Sequence, residues 1–194
     1  AGEYARMVIE QVNKGSDPLF PLVDATYMGA NSDRMFSPEV LFSLYNTSRK
    51  SVVYDVLFTY SLSTTSILSM AGKRETGRIS ITYDDENDYR YKMWESTVVN
   101  NTEVTYLTKF KDETRTGAEA YRYMMPLIRM SELYLIAAEC ETDVQKALDN
   151  YFNPLRFSRN CVNQNAIDED ALKNLIRAEY VREFIGEGQL FFYY

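Results

Sequence analysis

The sequence predicts a mostly α-helical fold of paired helices with a loop-rich insertion that contains short strands. Apolar residues recur at helical spacing at the start of the chain and again from residue 126. Between them, clusters of Ser, Thr, Gly and Asn interrupt residues 46–125. A chain of 194 residues with 45% apolar residues is long enough to close one substantial core. We therefore predict a single region, 1–194, with a loop-rich part at 46–125 and a helical part at 126–188.

The first helix is predicted at the start of the chain. Ala5, Val8, Ile9 and Val12 recur at helical spacing, and Gly15 interrupts the pattern. Nothing precedes this helix to cover its apolar stripe, which is the pattern expected of a piece of a longer protein.

The segment 37–45 has two interpretations. Pro38 is typical of the first turn of a helix, whereas Val40, Phe42 and Leu44 fall at alternate positions, as apolar residues do in a strand. We predict a short strand. Loops, short strands and short helices are predicted for the residues that follow, up to 125.

Two helices are predicted next, joined by a short turn. The first begins at Pro126, where a residue without an N–H is tolerated. Its apolar stripe comprises Leu127, Met130, Leu133, Tyr134, Ala137 and Ala138. The second carries apolar residues from Val144 to Leu155, and Pro154 is expected to kink or end it. Because the turn between them is short, the two helices should lie antiparallel.

The last helix is predicted from Asp168, a suitable N-cap, to Ile185, where Gly186 and Gly188 supply the stop. Helix, short turn, helix, longer loop and helix is the order of elements in an array of TPR-like helix pairs. The sequence shows no repeat period that would establish such an array.

Two carboxylates interrupt the apolar side of this last helix. Glu179 and Glu183 continue the line of Leu172, Leu175 and Ile176, and a carboxylate in such a place needs a paired base. We therefore predict a structural ion-pair network with arginines of the same and neighbouring helices. Its predicted members are Arg129, Glu139, Arg156, Glu179, Arg182 and Glu183.

Glycoside hydrolysis is the alternative role of Glu179 and Glu183, because that reaction uses two carboxyl groups across a sugar. The structural role is preferred, since both residues lie next to arginines on a core-facing stripe and ion-pair networks resemble active sites. We predict no catalytic residue, no enzymatic activity and no cofactor.

Aromatic residues cluster in the loop-rich part at Tyr83, Tyr89, Tyr91 and Trp94. An aromatic face can lie against the C–H face of a sugar while a hydroxyl or indole N–H fixes its orientation. These four residues form the candidate ligand-binding surface. The alternative, and the commoner role of such rings, is to pack the loops onto the helices.

The same segment offers a partial template for calcium. Asp84, Glu86, Asp88 and Glu95 occupy ligand positions of a calcium-binding loop, but Tyr89 stands where that turn requires glycine. We predict a solvated acidic loop and no metal site.

Composition excludes further classes of function. The 21 basic and 28 acidic residues give a net charge of −7, which offers no attraction for nucleic acid. The chain has no histidine, the usual catalytic base and a common zinc ligand. Cys140 and Cys161 are each predicted to be buried, unpaired thiols.

Three segments of the helical part follow the pattern of one protein family. They are 126–139 (PLIRMSELYLIAAE), 147–156 (ALDNYFNPLR) and 179–188 (EYVREFIGEG). The first resembles the helix that SusD/RagB proteins show near their C-terminal third, and the second resembles the family's following helix with its Asn-x-x-Arg element. The third resembles the Glu-Arg-Arg-x-Glu-Phe-x-Gly-Glu-Gly signature of the same family. The chain therefore resembles the C-terminal part of such a protein.

Four positions depart from the family pattern. Tyr180 and Val181 replace the usual two arginines, while Leu190 and Tyr193 stand where many members carry Arg and Asp. We expect these replacements to alter packing between helices and not contact with a ligand.

The resemblance implies a nutrient-binding lipoprotein on the outer face of the outer membrane of Bacteroidetes-type bacteria. It implies that the protein binds a glycan or a peptide and delivers it to a SusC-like TonB-dependent transporter. It also implies a longer protein whose lipid anchor lies outside this chain. A TPR-type scaffold that binds another protein is the alternative function.

Overall fold

The structure is a computed structural model that describes residues 1–24, 33–62, 67–70, 76–99, 101–114 and 116–193. In chain order, its helices are α1 (Gly2–Val12), α2 (Asp55–Leu57), α3 (Arg78–Thr82), α4 (Glu119–Arg122), α5 (Met130–Glu139), α6 (Val144–Ala147), α7 (Asn153–Ser158), α8 (Glu169–Phe184) and α9 (Leu190–Tyr193). Its strands are β1 (Val40–Tyr45), β2 (Trp94–Val99), β3 (Thr102–Leu107) and β4 (Met124–Arg129). The predicted mostly helical character with a few short strands is confirmed.

The first helix, α1, forms where the sequence predicts it. Ala5 and Ile9 are buried, and Val8 and Val12 pack partly against the same core. α1 lies along α5, so the apolar stripe that the sequence left without a partner is covered within the chain. The helices approach closely at Gly2, where an added Cβ would collide with the side chain of Cys140.

The segment 37–45 contains both structures that its sequence suggested. A 3-10 turn spans Ser37–Glu39 with Pro38 in its first turn, and β1 follows directly. β1 pairs antiparallel with β4, while β2 and β3 pair antiparallel with each other in a second two-stranded sheet.

The helix predicted to begin at Pro126 begins instead at Met130. Pro126 lies inside β4, opposite Ser43 of β1. Proline disfavours helical geometry at the residue before it, and a two-stranded sheet tolerates a residue that has no N–H to donate. Leu127 is consequently 41% exposed in the strand and does not join the buried stripe of α5.

The next helix continues past Pro154, where the sequence predicts a kink or an end. α6 runs through a π-helical turn, Leu148–Phe152, into α7, and the proline occupies the first turn of α7. A proline in a first turn costs no hydrogen bond, and the wider π-helical turn absorbs the irregularity.

α8 is the longest helix among the described residues and forms as predicted. The side chain of Asp168 accepts a hydrogen bond from the N–H of Ala171 at 2.8 Å, as an N-cap does. The chain leaves the helix through Gly186 at φ +80°, where an added Cβ would lie 2.7 Å from Leu107 Cδ2. Both the dihedral angle and the contact require glycine.

Two main cores result from this arrangement. One lies between α1, α5, α7 and α8 and includes Met130, Leu135, Phe152 and Ile176. The other surrounds the β2–β3 sheet and includes Phe36, which is fully buried. None of the helices in the described part of the chain is long and apolar enough to cross a membrane.

Candidate functional site

A cluster of buried ion pairs links the helical part to the loop-rich part. Glu183 Oε1 accepts hydrogen bonds from Arg129 and Arg159 at 2.7 Å each, and Oε2 accepts one from Arg90 at 2.8 Å. We call the connected set of acidic and basic side chains around Glu183 and Glu179 the ion-pair cluster. Its members among the described residues are Glu39, Asp84, Asp88, Arg90, Lys109, Arg129, Arg156, Arg159, Glu179, Arg182, Glu183 and Glu187.

Glu179 occupies the second centre of the ion-pair cluster. Its Oε2 accepts from Arg156 at 3.0 Å and from Arg182 at 2.9 Å. Its Oε1 lies 2.6 Å from Arg90 Nη1 but lacks the alignment of a hydrogen bond, so this contact is purely electrostatic. The neighbouring arginines compensate the charge of both buried carboxylates of α8, as such residues require.

Five of the six residues predicted for a structural network lie in the ion-pair cluster. The exception is Glu139, which is exposed at the end of α5 and forms no ion pair with a described residue, contrary to the prediction. Arg90 and Arg159 are among the cluster residues that were not predicted from the sequence. The signal for Arg159 was its position three residues after Arg156, which places both on the same side of a helix.

Burial and the arginines have opposite effects on the pKa of the two α8 carboxylates. Burial alone would raise the pKa of Glu179, but Arg90, Arg156 and Arg182 lower it to about 2. Burial also opposes the charge of Glu183, and its arginine partners hold its pKa well below the ordinary range. A glycosidase acid needs a raised pKa, so these carboxylates do not suit glycoside hydrolysis.

The predicted aromatic ligand surface requires a correction. Trp94 and Tyr83 are only 3% and 5% exposed and belong to the second core. The indole N–H of Trp94 donates to the hydroxyl of Tyr83 at 3.2 Å, and that hydroxyl donates to the carbonyl of Arg182 at 3.4 Å. Because their faces are covered and their polar groups are satisfied internally, these two rings pack the loops onto α8, as in the alternative interpretation.

The other two aromatic residues lie nearer the surface. Tyr91 is half-buried, with its ring centroid 6.1 Å from that of Tyr83. Tyr89 is also half-buried, and Lys92 Nζ lies 4.2 Å from its ring centroid. The backbone N–H of Tyr89 donates to the carbonyl of Arg159 at 3.1 Å, which fixes this loop beside the end of α7.

The acidic loop is solvated only in part, since Asp84 and Glu86 are exposed as the sequence predicts, whereas the other carboxylates are paired within the protein. Asp88 is fully buried and paired with Arg90 at 2.7 Å. Asp84 contacts two arginines of the ion-pair cluster, and Glu95 accepts a hydrogen bond from Tyr106 at 2.8 Å. Within the described ranges, no group of three or more Cys, Asp and Glu side chains is placed to hold a metal ion.

The two cysteines differ in exposure. Cys161 is a buried free thiol, as predicted, and its burial raises its pKa to about 12. Cys140 is also free but exposed, which corrects the prediction that both are buried. It is the last residue before the turn after α5, where a side chain can point away from the core.

A groove of about 780 Å³ opens at the C-terminal end of α7. We call it the Phe157 groove; its described lining residues are Asp24, Asn87, Phe157, Asn160, Cys161, Val162 and Asn163. A smaller hollow of about 350 Å³ adjoins it, shares Phe157 and Asn163, and adds Asp149, Asn153 and Pro154. Phe157 therefore stands between two depressions of the surface.

Hydrogen bonds hold the loop that forms this groove. Asn160 adopts φ 62°, a conformation that asparagine tolerates, and its side-chain N–H donates to the carbonyl of Asn87 at 3.1 Å. The N–H of Val162 donates to Asp85 at 2.8 Å. Further along, the side chain of Asn153 bonds both the N–H and the carbonyl of Gln164, at 2.8 and 3.1 Å. The groove is thus preformed by contacts between distant parts of the chain.

The groove combines an exposed aromatic face with amide groups. Phe157 is 75% exposed, and Asn87, Asn160 and Asn163 line the same opening. Such a surface suits a ligand with an apolar face and a hydroxylated rim, because amides both donate and accept hydrogen bonds. Phe157 was not among the residues predicted from the sequence. Its signal was an aromatic residue outside the apolar stripe of its helix, followed by two asparagines.

Comparison with known proteins identifies the family. Residues 30–193 match the family model of the SusD family. A SusD-like carbohydrate-binding protein from Bacteroides vulgatus is similar in structure, with 19% identity and a TM-score of 0.66 over 97% of this chain and 39% of that chain. A SusD superfamily protein from Bacteroides thetaiotaomicron shows 22% identity and a TM-score of 0.65 over 98% of this chain and 44% of that chain.

At these identities, the similarity to the solved structures concerns the fold. The chain spans 39% and 44% of the length of the two proteins. No curated protein matches the sequence. The match over residues 30–193 confirms the resemblance of the three C-terminal segments, and the chain belongs to the SusD family.

Proposed function

We propose that the protein binds a glycan nutrient in the Phe157 groove at the cell surface and delivers it to a SusC-like TonB-dependent transporter. The observation that carries this proposal is the 75% exposed ring of Phe157 among three asparagine side chains. Membership of the SusD family supports it, as does the likeness in fold to a carbohydrate-binding protein from Bacteroides vulgatus.

The ion-pair cluster serves the groove by fixing the helix that carries Phe157. Arg156 and Arg159 flank this residue at the end of α7, and both are fully buried. Arg156 binds Glu179 at 3.0 Å, and Arg159 binds Glu183 at 2.7 Å. A helix backbone held in place before the ligand arrives loses little conformational freedom on binding, which favours affinity.

The proposal includes the wider setting that the family resemblance implies. The protein sits on the outer face of the outer membrane, held by a lipid anchor that lies outside this chain. Residues 1–194 form one C-terminal region of a longer protein, and their helices pair in a TPR-like manner. Two contacts support this arrangement: α1 packs on α5, and α5 packs on α8.

Binding without turnover is the expected behaviour. We would screen the purified full chain against soluble polysaccharides by affinity electrophoresis and measure positives by calorimetry, with an assay for new reducing ends. Phe157→Ala should weaken binding about 10- to 100-fold, because stacking on an aromatic ring contributes a few kcal/mol at most. Phe191→Ala is the matched control, since this ring is 84% exposed on α9, outside the groove. Release of reducing ends, or equal affinity of the Phe157 variant, would contradict the proposal.

A further inference from the structure

The charges around the Phe157 groove identify the class of glycan that it takes. We propose that the groove selects uncharged glycans and excludes glycans that carry carboxylate or sulfate groups. This inference rests on the proposed function, because it names the ligand class of the same groove.

The described lining residues of the groove offer an anion no basic side chain. Among the described residues that line the Phe157 groove and its adjoining hollow, there is no Lys or Arg. The charged residues there are Asp24 and Asp149, one in each depression. The chemistry of the described lining is therefore amide, apolar and acidic.

The basic residues next to Phe157 in the sequence do not change this balance, because they point inward. Arg159 donates to both carboxylate oxygens of Glu39, at 2.6 and 2.9 Å, and also binds Glu183. Arg156 is likewise buried and paired with Glu179. Carboxylates of the ion-pair cluster compensate both charges, so little positive potential reaches the groove.

An exposed cation on the neighbouring loop is Lys92. Its ammonium lies 4.2 Å from the ring centroid of Tyr89, and it does not line the groove. A cation–π contact of this kind keeps the charge at the aromatic face and away from the amides. An anionic sugar bound across Phe157 would therefore lose hydration without gaining an ion pair.

The energetic consequence favours neutral sugars. An uncharged glycan exchanges its water hydrogen bonds for those of three asparagine side chains, whereas an anionic group would be desolvated beside carboxylates. Like charges brought together in an interface weaken binding. The net charge of −7 acts in the same direction at longer range, within about one Debye length of the surface.

The test compares matched ligands on the purified full chain. Dextran, laminarin, galactomannan and xyloglucan are each measured beside their own sulfated derivative, at about 0.15 M salt, where surface charges are partly screened. We expect sulfation to weaken binding of any neutral ligand by about tenfold or more. Asn163→Lys should recover part of the affinity for the sulfated form. Gln11→Lys is the matched control, because it adds the same charge on the exposed side of α1.

The outcomes separate this inference from the function on which it rests. Equal or tighter binding of the sulfated forms, abolished by Phe157→Ala, would overturn the ligand class and leave the groove as the binding site. Binding of neutral glycans that Phe157→Ala does not weaken, or no binding by any of the four neutral polysaccharides, would overturn the proposed groove and this inference with it. Neutral selectivity that Asn163→Lys relaxes and Gln11→Lys does not would support both.

Discussion

The ring of Tyr180 on α8 stacks on the ring of Tyr193 on α9, with centroids 4.0 Å apart and planes inclined by 25°. The sequence departs from the family pattern at both positions, where many members carry an arginine and an aspartate. The structure places the two residues in contact, so both departures affect the same contact between α8 and α9. The stack joins α8 to α9, so in this chain the two side chains take part in helix packing.

This stack should couple the two residues energetically. In the full chain, a double-mutant cycle of Tyr180→Phe and Tyr193→Ala, followed by chemical denaturation, should give a coupling free energy of about 1 kcal/mol or less, because Phe retains part of the stack. The cycle Tyr180→Leu and Tyr193→Ala should give about 1 kcal/mol. Phe192→Ala should show no coupling to position 180, since its ring is 87% exposed. If the effects of Tyr180→Leu and Tyr193→Ala on the free energy of unfolding are strictly additive, the stack does not contribute to stability.

The charge of Glu183 should be essential to the fold. Glu183→Gln leaves three buried arginines short of a carboxylate, and breaking a buried ion pair typically costs about 3–5 kcal/mol. The control is Glu169→Gln, which breaks a surface pair with Lys173 and should cost far less, because exposed pairs contribute little to stability. Urea denaturation of both variants measures the difference. A cost for Glu183→Gln no greater than that of the control would contradict the structural role of the ion-pair cluster.

Acid should destabilise the protein in a defined range of pH. The pKa of Glu179 falls from 4.5 to about 2 on folding, so its contribution is complete above pH 4.5 and is lost as pH falls toward about 2. That shift corresponds to about 3 kcal/mol. Thermal melting temperatures between about pH 6 and pH 2 should therefore fall steeply at the acid end. Glu179→Gln should flatten this dependence while lowering stability at neutral pH, and an unchanged slope would refute the assignment.

Trp94 should matter for stability and not for affinity. Trp94→Phe keeps an aromatic ring in the second core but removes the hydrogen bond to Tyr83, which should lower the free energy of unfolding by about 1 kcal/mol. Its affinity for any glycan that the protein binds should equal that of the unchanged protein. Reduced affinity of the Trp94→Phe variant at unchanged stability would contradict this prediction and indicate that Trp94 contacts the ligand.

The sequence predicted the helices better than the site. α1 and α8 were predictable because their apolar periodicity and end signals, such as Asp168, are local features. The predicted start of a helix at Pro126 was wrong because a proline suits both a first helical turn and a two-stranded sheet. The pairing of β4 with β1 joins residues far apart in the sequence, and local patterns do not contain that information.

The site depends even more on distant contacts. Trp94 and Phe157 differ in exposure, since Trp94 is 3% exposed and Phe157 is 75% exposed. The amino-acid composition does not distinguish them, because both are aromatic residues. The groove exists because the chain near Asn87 meets the chain near Asn160. The position of Glu179 and Glu183 on the apolar stripe of α8 indicated them correctly as partners of arginines. It carried no information on which aromatic ring faces outward.

The most direct test of the central claim is hydrogen–deuterium exchange of the full chain with and without a bound polysaccharide. We expect a bound polysaccharide to slow exchange in the two segments that form the Phe157 groove, around 85–89 and 157–164. Exchange should change little around β2, where Trp94 is buried. Protection confined to other segments, with both groove segments exchanging as fast as in the free protein, would contradict binding at the Phe157 groove.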